Sequence, residues 1–310
     1  MRLPFRRRKR EATTSREFGS IPAEVLRTVR RIQIRADRLI SDRFLGEYHS
    51  VFRGHGIEFQ EVREYQEGDD ERTIDWNVTA RTGVPHVRKY IEEREITVIL
   101  LVDVSASTAF GTIGRSKREV MAELVAVLAF SATRNNDRVG MLAFSDRVER
   151  FIPARKGTRH VLRLIRELLL LEPEGRGTDM NVALQYLNHV QKRRAVAFII
   201  SDFLTRGYES ALKIAAAHHN ITALSLVDPR ELELASVGMV ELEDAETGGR
   251  VLVDTSDPET RRLYRLNALQ EYEERQRLLR SVGVEEVALR SDRPYLQALV
   301  DHFRIRARRN

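Results

Sequence analysis

The sequence predicts an α/β protein built on a doubly wound, mostly parallel sheet, and three observations carry that prediction. From residue 96 onward, short apolar runs alternate with amphipathic stretches of helical period. Within ITVILLVDV (96–104) and AVAFIIS (195–201), Val98–Val102 and Ala195–Ile200 are continuously apolar, the pattern of strands buried beneath helices on both faces of a parallel sheet. Polar side chains then gather where those runs end, which is where open α/β sheets bind ligands.

Residues 1–20 are basic and polar and read as a flexible arm. Over residues 22–45, Val25, Val29, Ile32, Ala36 and Leu39 step by three or four, so an amphipathic helix is expected. Residues 46–95 lack a helical period. Alternation in IEFQEVREY and HVRKYIE predicts short strands separated by turns at Gly68 and Gly83-Val84-Pro85. Within YQEGDDERTIDWN, the acids Asp69, Asp70, Glu71 and Asp75 lie among Arg63, Arg72 and Arg81. A structural charge network around a buried Trp76 is expected there.

The regular region follows. A helix is predicted over 116–134, where Val120, Leu124, Val127, Leu128 and Ser131 share a face. Strands are expected at 138–145 and 148–154, helices at 158–171 and 180–191, and a strand at 195–201. A helix at 208–218 and a strand at 221–227 complete the alternation. Residues 239–254 read as a hairpin turning near Gly248-Gly249, and Asp257-Pro258 opens a long charged helix with proline in its first turn. A last strand (285–290) and a final helix capped by Ser291 close the chain. The expected organisation is an arm (1–20), an N-terminal segment packed on the main domain (21–95), and the α/β domain with its C-terminal hairpin and helices (96–310).

Composition narrows the function classes. Hydrophobic residues make up 42% of the chain and charged residues 32%, a folded rather than a disordered balance. There is no cysteine, which excludes disulfides and thiolate metal sites and fits a reducing compartment. No apolar run approaches the roughly 20 residues that span a bilayer, and the basic start is followed by polar residues, so a soluble, cytoplasmic protein is expected. Six of the first ten residues are Arg or Lys and none is acidic, so they account for all of the net charge of +6. A second basic cluster, FRIRARRN, ends the chain. Such ends can touch anionic lipid, nucleic acid or an acidic protein, but no aromatic residues alternate with the charges as a single-strand stacking platform requires.

Three clusters of polar oxygen fall at the predicted strand ends and adjacent loops. Asp103, Ser105 and Ser107 follow the first strand of the regular region, Thr178 with Asp179 precedes a helix, and Asp202 follows AVAFIIS. The spacing of two puts Asp103, Ser105 and Ser107 on one side of an extended segment. Taken singly, such residues are most often caps or turn formers. Taken together, two carboxylates and three hydroxyls form a hard donor set that suits Mg²⁺, Mn²⁺ or Ca²⁺ rather than zinc, and can leave one position open.

The pattern Asp103-Val104-Ser105-Ala106-Ser107, then Thr178, then Asp202 resembles the metal-ion-dependent adhesion site (MIDAS) of von Willebrand factor A domains, which have a Rossmann-type fold. The resemblance covers about residues 96–229 and implies that these five residues ligate a divalent ion whose sixth position takes an acidic side chain from a partner protein. GIEFQEVREYQEGDDERTIDWNVTARTGVPHVRKY, with its GDDxRxIDWxxxAR arrangement, is similar to the segment that precedes an A-type domain in the domain-of-unknown-function 58 (DUF58) family. That resemblance implies partnership with MoxR-type AAA+ ATPases in chaperone-like maturation or metal insertion.

The expected function is a non-enzymatic, metal-dependent protein-binding module. Two alternatives stay open. A metal-assisted hydrolase would need a base or nucleophile beside the ion, yet the chain has no His-Glu-x-x-His, no nucleophile elbow and no Gly-Lys-Ser/Thr loop, and RGHG is too short to cradle a phosphate. Attachment to nucleic acid or anionic surfaces through the basic termini is the other.

Overall fold

The computed structural model describes residues 23–40, 42–51, 58–91, 95–109, 111 and 116–308. The basic arm expected at residues 1–20, the RGHG segment and the last two residues lie outside the described residues. In chain order the N-terminal elements are α1 (Ala23–Leu39), α2 (Asp42–Val51), β1 (Glu58–Glu64), α3 (Trp76–Thr82) and β2 (His86–Ile91). The alternating region follows: β3 (Thr97–Asp103), α4 (Lys117–Arg134), β4 (Arg138–Phe144), β5 (Val148–Arg155), α5 (Thr158–Leu170), α6 (Met180–Val190), β6 (Val196–Ser201), α7 (Glu209–His218) and β7 (Asn220–Val227). The chain ends with α8 (Pro229–Leu232), β8 (Met239–Glu243), β9 (Arg250–Asp254), α9 (Pro258–Ser281), β10 (Glu285–Arg290) and α10 (Leu296–Ala307).

Six strands form the central sheet in the order β10-β7-β6-β3-β4-β5. All neighbours run parallel except β5, which returns antiparallel to β4. The three residues separating Phe144 from Val148 at the turn, with Ser145 N–H donating to Arg147 O at 2.9 Å, leave room only for a hairpin and none for a crossover helix. From β3 the chain first builds toward β4 and β5, then crosses back to β6 on the other side. The order therefore reverses between β3 and β6, and their carboxyl ends frame the crevice. This is a doubly wound α/β architecture on a mostly parallel sheet.

Strand β3 shows why these residues choose this place. Val98, Leu100 and Val102 enter the core beneath α1, α2, α4, α5 and α10, while Ile99 and Leu101 enter the core beneath α6 and α7. All five are buried. A strand apolar on both faces is stable only between two helical layers, where each such side chain contributes about 1.5–3 kcal/mol. Helix α4 begins where Ser116 and Glu119 form a reciprocal capping box, each side chain accepting from the other residue's backbone N–H at 3.2 Å. That start fixes Lys117 as its first residue.

Several expectations need correction. The helix expected over 22–45 is two helices, α1 and α2. The segment after Gly68 contains α3, which alternation in the flanking strands concealed. Trp76 is not buried but 69% exposed. Its neighbour Asp75 is the buried residue, because it caps α3 through its carboxylate (Asn77 N, 3.0 Å) and donates its own N–H to His86 O at 2.8 Å. That pinning turns the next side chain outward. Ser291 does not cap α10; its hydroxyl donates to Asp228 at 3.1 Å, and Tyr295 precedes the helix. The described part of the C-terminal basic cluster, residues 303–308, is not a free tail either. Arg304 pairs with Glu47 at 3.2 Å, and Arg306 pairs with Glu285 at 3.4 Å and donates to Thr222 at 3.0 Å.

Candidate functional site

Asp103 is the last residue of β3 and is fully buried. Its Oδ1 accepts the Ser105 N–H at 2.9 Å, and its Oδ2 accepts the Ser201 hydroxyl at 2.7 Å. The first bond turns the chain, so that Ser105 and Ser107 follow on a 3₁₀ turn with their hydroxyl oxygens 3.1 Å apart. The second ties β3 to β6, and the Ser201 oxygen also accepts the Phe203 N–H at 3.0 Å. Burial, and next the charge of Asp202, push the Asp103 carboxyl up to about 6, against the hydrogen bonds from Ser105 and Ser201.

Asp202 follows β6 and is buried. Phe203, the residue after it, is itself buried and holds a left-handed φ of 58°. A bulky residue rarely adopts that conformation, and such strain collects at functional sites. The Asp202 Oδ2 accepts from Lys117 Nζ at 2.8 Å, and Lys117 also pairs with Glu231 of α8. Burial alone would lower the Lys117 pKa, but Asp202 and Glu231 outweigh it and hold the ammonium above its ordinary value. Burial raises Glu231, with Lys117 opposing. The other Asp202 oxygen accepts the Leu204 N–H at 3.3 Å.

Thr178 arrives on the loop between α5 and α6. Ala106 N–H donates to Arg176 O at 3.1 Å, which joins that loop to the serine turn. Glu149 accepts from Gly175 N at 2.8 Å and Glu174 N at 3.1 Å, and the Thr205 hydroxyl donates to Thr178 O at 2.9 Å. Asp179 serves as the α6 cap, accepting from Asn181 N at 2.9 Å. The Thr178 hydroxyl donates to Glu246 of the β8–β9 turn at 2.6 Å. A Cβ at Gly175 would stand 2.2 Å from Ser145 Oγ and 2.2 Å from Asp146 Oδ1, so a larger residue there must displace both side chains. Gly175→Ala should therefore cost about 1–3 kcal/mol of stability, read as a lowered urea midpoint. An unchanged midpoint would show that the loop has room to spare.

The fold thus brings Asp103, Ser105 and Ser107 into one hydrogen-bonded group and sets Asp202 beside it across the β3–β6 switch point. It draws the Thr178 loop onto the same edge, with the Thr178 hydroxyl turned to Glu246. Reading along the chain missed Ser201, Lys117, Glu231 and Glu246. Lys117 alone left a trace, since it lies three, four and seven residues before the buried Val120, Met121 and Leu124 and so shares their face. Among the described residues, no three His, Cys, Asp or Glu side chains form a ready-made metal cluster. What stands at the edge instead is a set of hydroxyls and carboxylates, whose chemistry fits a hard divalent ion.

The family described as "Protein of unknown function DUF58" matches residues 61–274. The chain is 37% identical over 259 residues to the uncharacterized protein Rv1480 of Mycobacterium tuberculosis, covering 82% of this chain and 81% of that one. Among solved structures, it is similar to the conserved hypothetical protein BatB of Bacteroides thetaiotaomicron, with a TM-score of 0.44, 18% identity, and coverage of 69% of this chain and 99% of that one. It is similar also to the SpRpn10 VWA domain, with a TM-score of 0.38, 14% identity, and coverage of 67% and 95%. The family match spans more than half of the sequence and the relative aligns over most of both chains, so this chain belongs to the DUF58 family.

Proposed function

We propose that this protein is a non-enzymatic binding module that holds a divalent ion, Mg²⁺ or else Mn²⁺ or Ca²⁺, through Asp103, Ser105, Ser107, Thr178 and Asp202, and uses it to capture an acidic side chain of a protein partner. The observation that carries the reading is that the Asp103–Ser105–Ser107 group, Asp202 and the Thr178 loop share one edge of the sheet at the β3–β6 switch point. The ion would supply a strong but reversible attraction for a carboxylate. The residues themselves fix its place: Ser201 and the Ser105 N–H orient Asp103, Lys117 orients Asp202, and Glu149 holds the Thr178 loop.

A MoxR-type AAA+ ATPase, or its client, is the partner we propose, in the cytoplasm. The cysteine-free composition is in keeping with that compartment. Among the described residues, no helix is long and apolar enough to cross a membrane. The placement of the buried histidines supports a binding rather than a hydrolytic role. His160 hydrogen-bonds Val139 O at 2.9 Å, and His219 bonds Ala195 N at 3.3 Å, both at the amino ends of strands, opposite the site.

The test is capture of a MoxR-type ATPase by the full chain in Mg²⁺, with and without chelator, alongside Asp103→Asn and Ser105→Ala. Capture should fall at least tenfold on chelation and in both variants, with the thermal midpoint of Ser105→Ala nearly unchanged. Capture that survives chelation sinks the reading.

A further inference from the structure

Mg²⁺ takes six oxygens in near-octahedral geometry, and the site described above supplies five oxygen-bearing side chains. A sixth oxygen-bearing side chain, itself a carboxylate, is already present. Glu246 Oε1 stands 2.6 Å from the Thr178 hydroxyl, and its other oxygen lies 3.7 Å from where a Cβ on Gly177 would be. The carboxylate therefore lies over the 177–178 loop. A threonine hydroxyl has one proton to donate and lone pairs to spare, so it can hydrogen-bond Glu246 and still offer an oxygen to a cation.

The turn that carries Glu246 is shaped to present it. Asp244 accepts from the N–H groups of Glu246 at 2.9 Å and Thr247 at 3.1 Å. Gly248, at a φ of 72°, donates to Asp244 O at 2.8 Å, and Asp244 N donates to Gly249 O at 2.8 Å. The base of the hairpin is pinned by Thr255, whose hydroxyl donates to Gly238 O at 2.7 Å. Between tip and base, β8 and β9 pair with each other as a separate two-stranded sheet, with Met239, Val251 and Leu252 exposed. A two-stranded ribbon on its own is marginally stable. The tip is thus held by its own hydrogen bonds, on a ribbon that pairs with no third strand.

We propose that Glu246 is an intramolecular sixth ligand: the β8–β9 hairpin plugs the cation site with its own carboxylate, and a partner's acidic group must displace it. This rests on the cation-site reading above. The partner would then compete against a tethered carboxylate, which makes capture selective for groups able to do more than supply one oxygen.

The test uses the full chain with Mn²⁺ as the probe, following affinity by titration calorimetry and inner-sphere water by proton relaxation enhancement. Wild type, Glu246→Ala and Glu246→Gln are compared. The proposal expects Glu246→Ala to bind Mn²⁺ about tenfold more weakly and to show one additional exchangeable water, with Glu246→Gln between it and wild type. Wild-type binding with an unchanged water count in Glu246→Ala overturns the plug and leaves the cation site standing. A wild-type chain that binds no Mn²⁺ overturns both.

Discussion

Replacing Lys117 with alanine should lower the unfolding free energy by about 3–5 kcal/mol, the cost of stranding buried charges by removing their partner. The Lys117 side chain is 0% exposed, Asp202 is 2% exposed and Glu231 is 21% exposed, so water can do little to replace the ammonium. Without it, two carboxylates face each other across a space that Asp103 also borders. Size is not the decisive variable. Lys117→Met, which keeps most of the volume, should be nearly as damaging as alanine. Combining Lys117→Met with Asp202→Asn and Glu231→Gln should recover most of the loss, because no uncompensated charge then remains. Urea denaturation of the four proteins decides it through midpoints at constant slope. A loss below about 1 kcal/mol in Lys117→Ala would mean that the triad is solvated and exerts no such hold. Because Lys117 occupies one oxygen of Asp202, added Mg²⁺ should stabilise Lys117→Ala more than wild type if the ion binds there.

How much of this could be read along the chain depended on how local the cause was. The strands of the main sheet and the helices between them were legible because one face or both must be apolar over a fixed period. Val98 to Val102 and the Val120–Leu124 face state that locally. The positions of Asp103 and Asp202 were legible as well, since a carboxylate ending an apolar run has few places to go but the crevice. Lys117, Glu231 and Glu246 were not. A lysine opening a helix and a glutamate in a hairpin turn are ordinarily solvated, and what makes these different lies 85 residues away for Lys117–Asp202 and 68 for Thr178–Glu246. Trp76 failed for another reason. Its burial was expected from its size, whereas Asp75 claimed the inward position through a cap and a backbone bond. A local polar constraint outweighed a large apolar side chain.

The C-terminal FRIRARRN cluster carries the same lesson in its most testable form. By composition it is a basic tail, yet Phe303 is fully buried, with its ring 5.6 Å from Phe44, 5.9 Å from Tyr48 and 6.3 Å from Phe198, centroid to centroid. It joins α10 to α2 and to the central strand β6. Phe303→Ala should therefore cost about 3–5 kcal/mol through lost transfer energy and the cavity left behind, with edge-on aromatic contacts contributing about 0.5–1.5 kcal/mol beyond area. Ile305, two residues on in the same helix, is 53% exposed, and Ile305→Ala should shift stability by no more than about 0.5 kcal/mol. The pair separates burial from any general sensitivity of the last helix. If both variants unfold at the same urea concentration as wild type, α10 contributes nothing to the core. If both are equally destabilised, the helix matters for a reason other than Phe303. Only a large loss at Phe303 beside a small one at Ile305 places α10 inside the fold, with Arg304 and Arg306 held by Glu47 and Glu285 rather than offered to an outside anion.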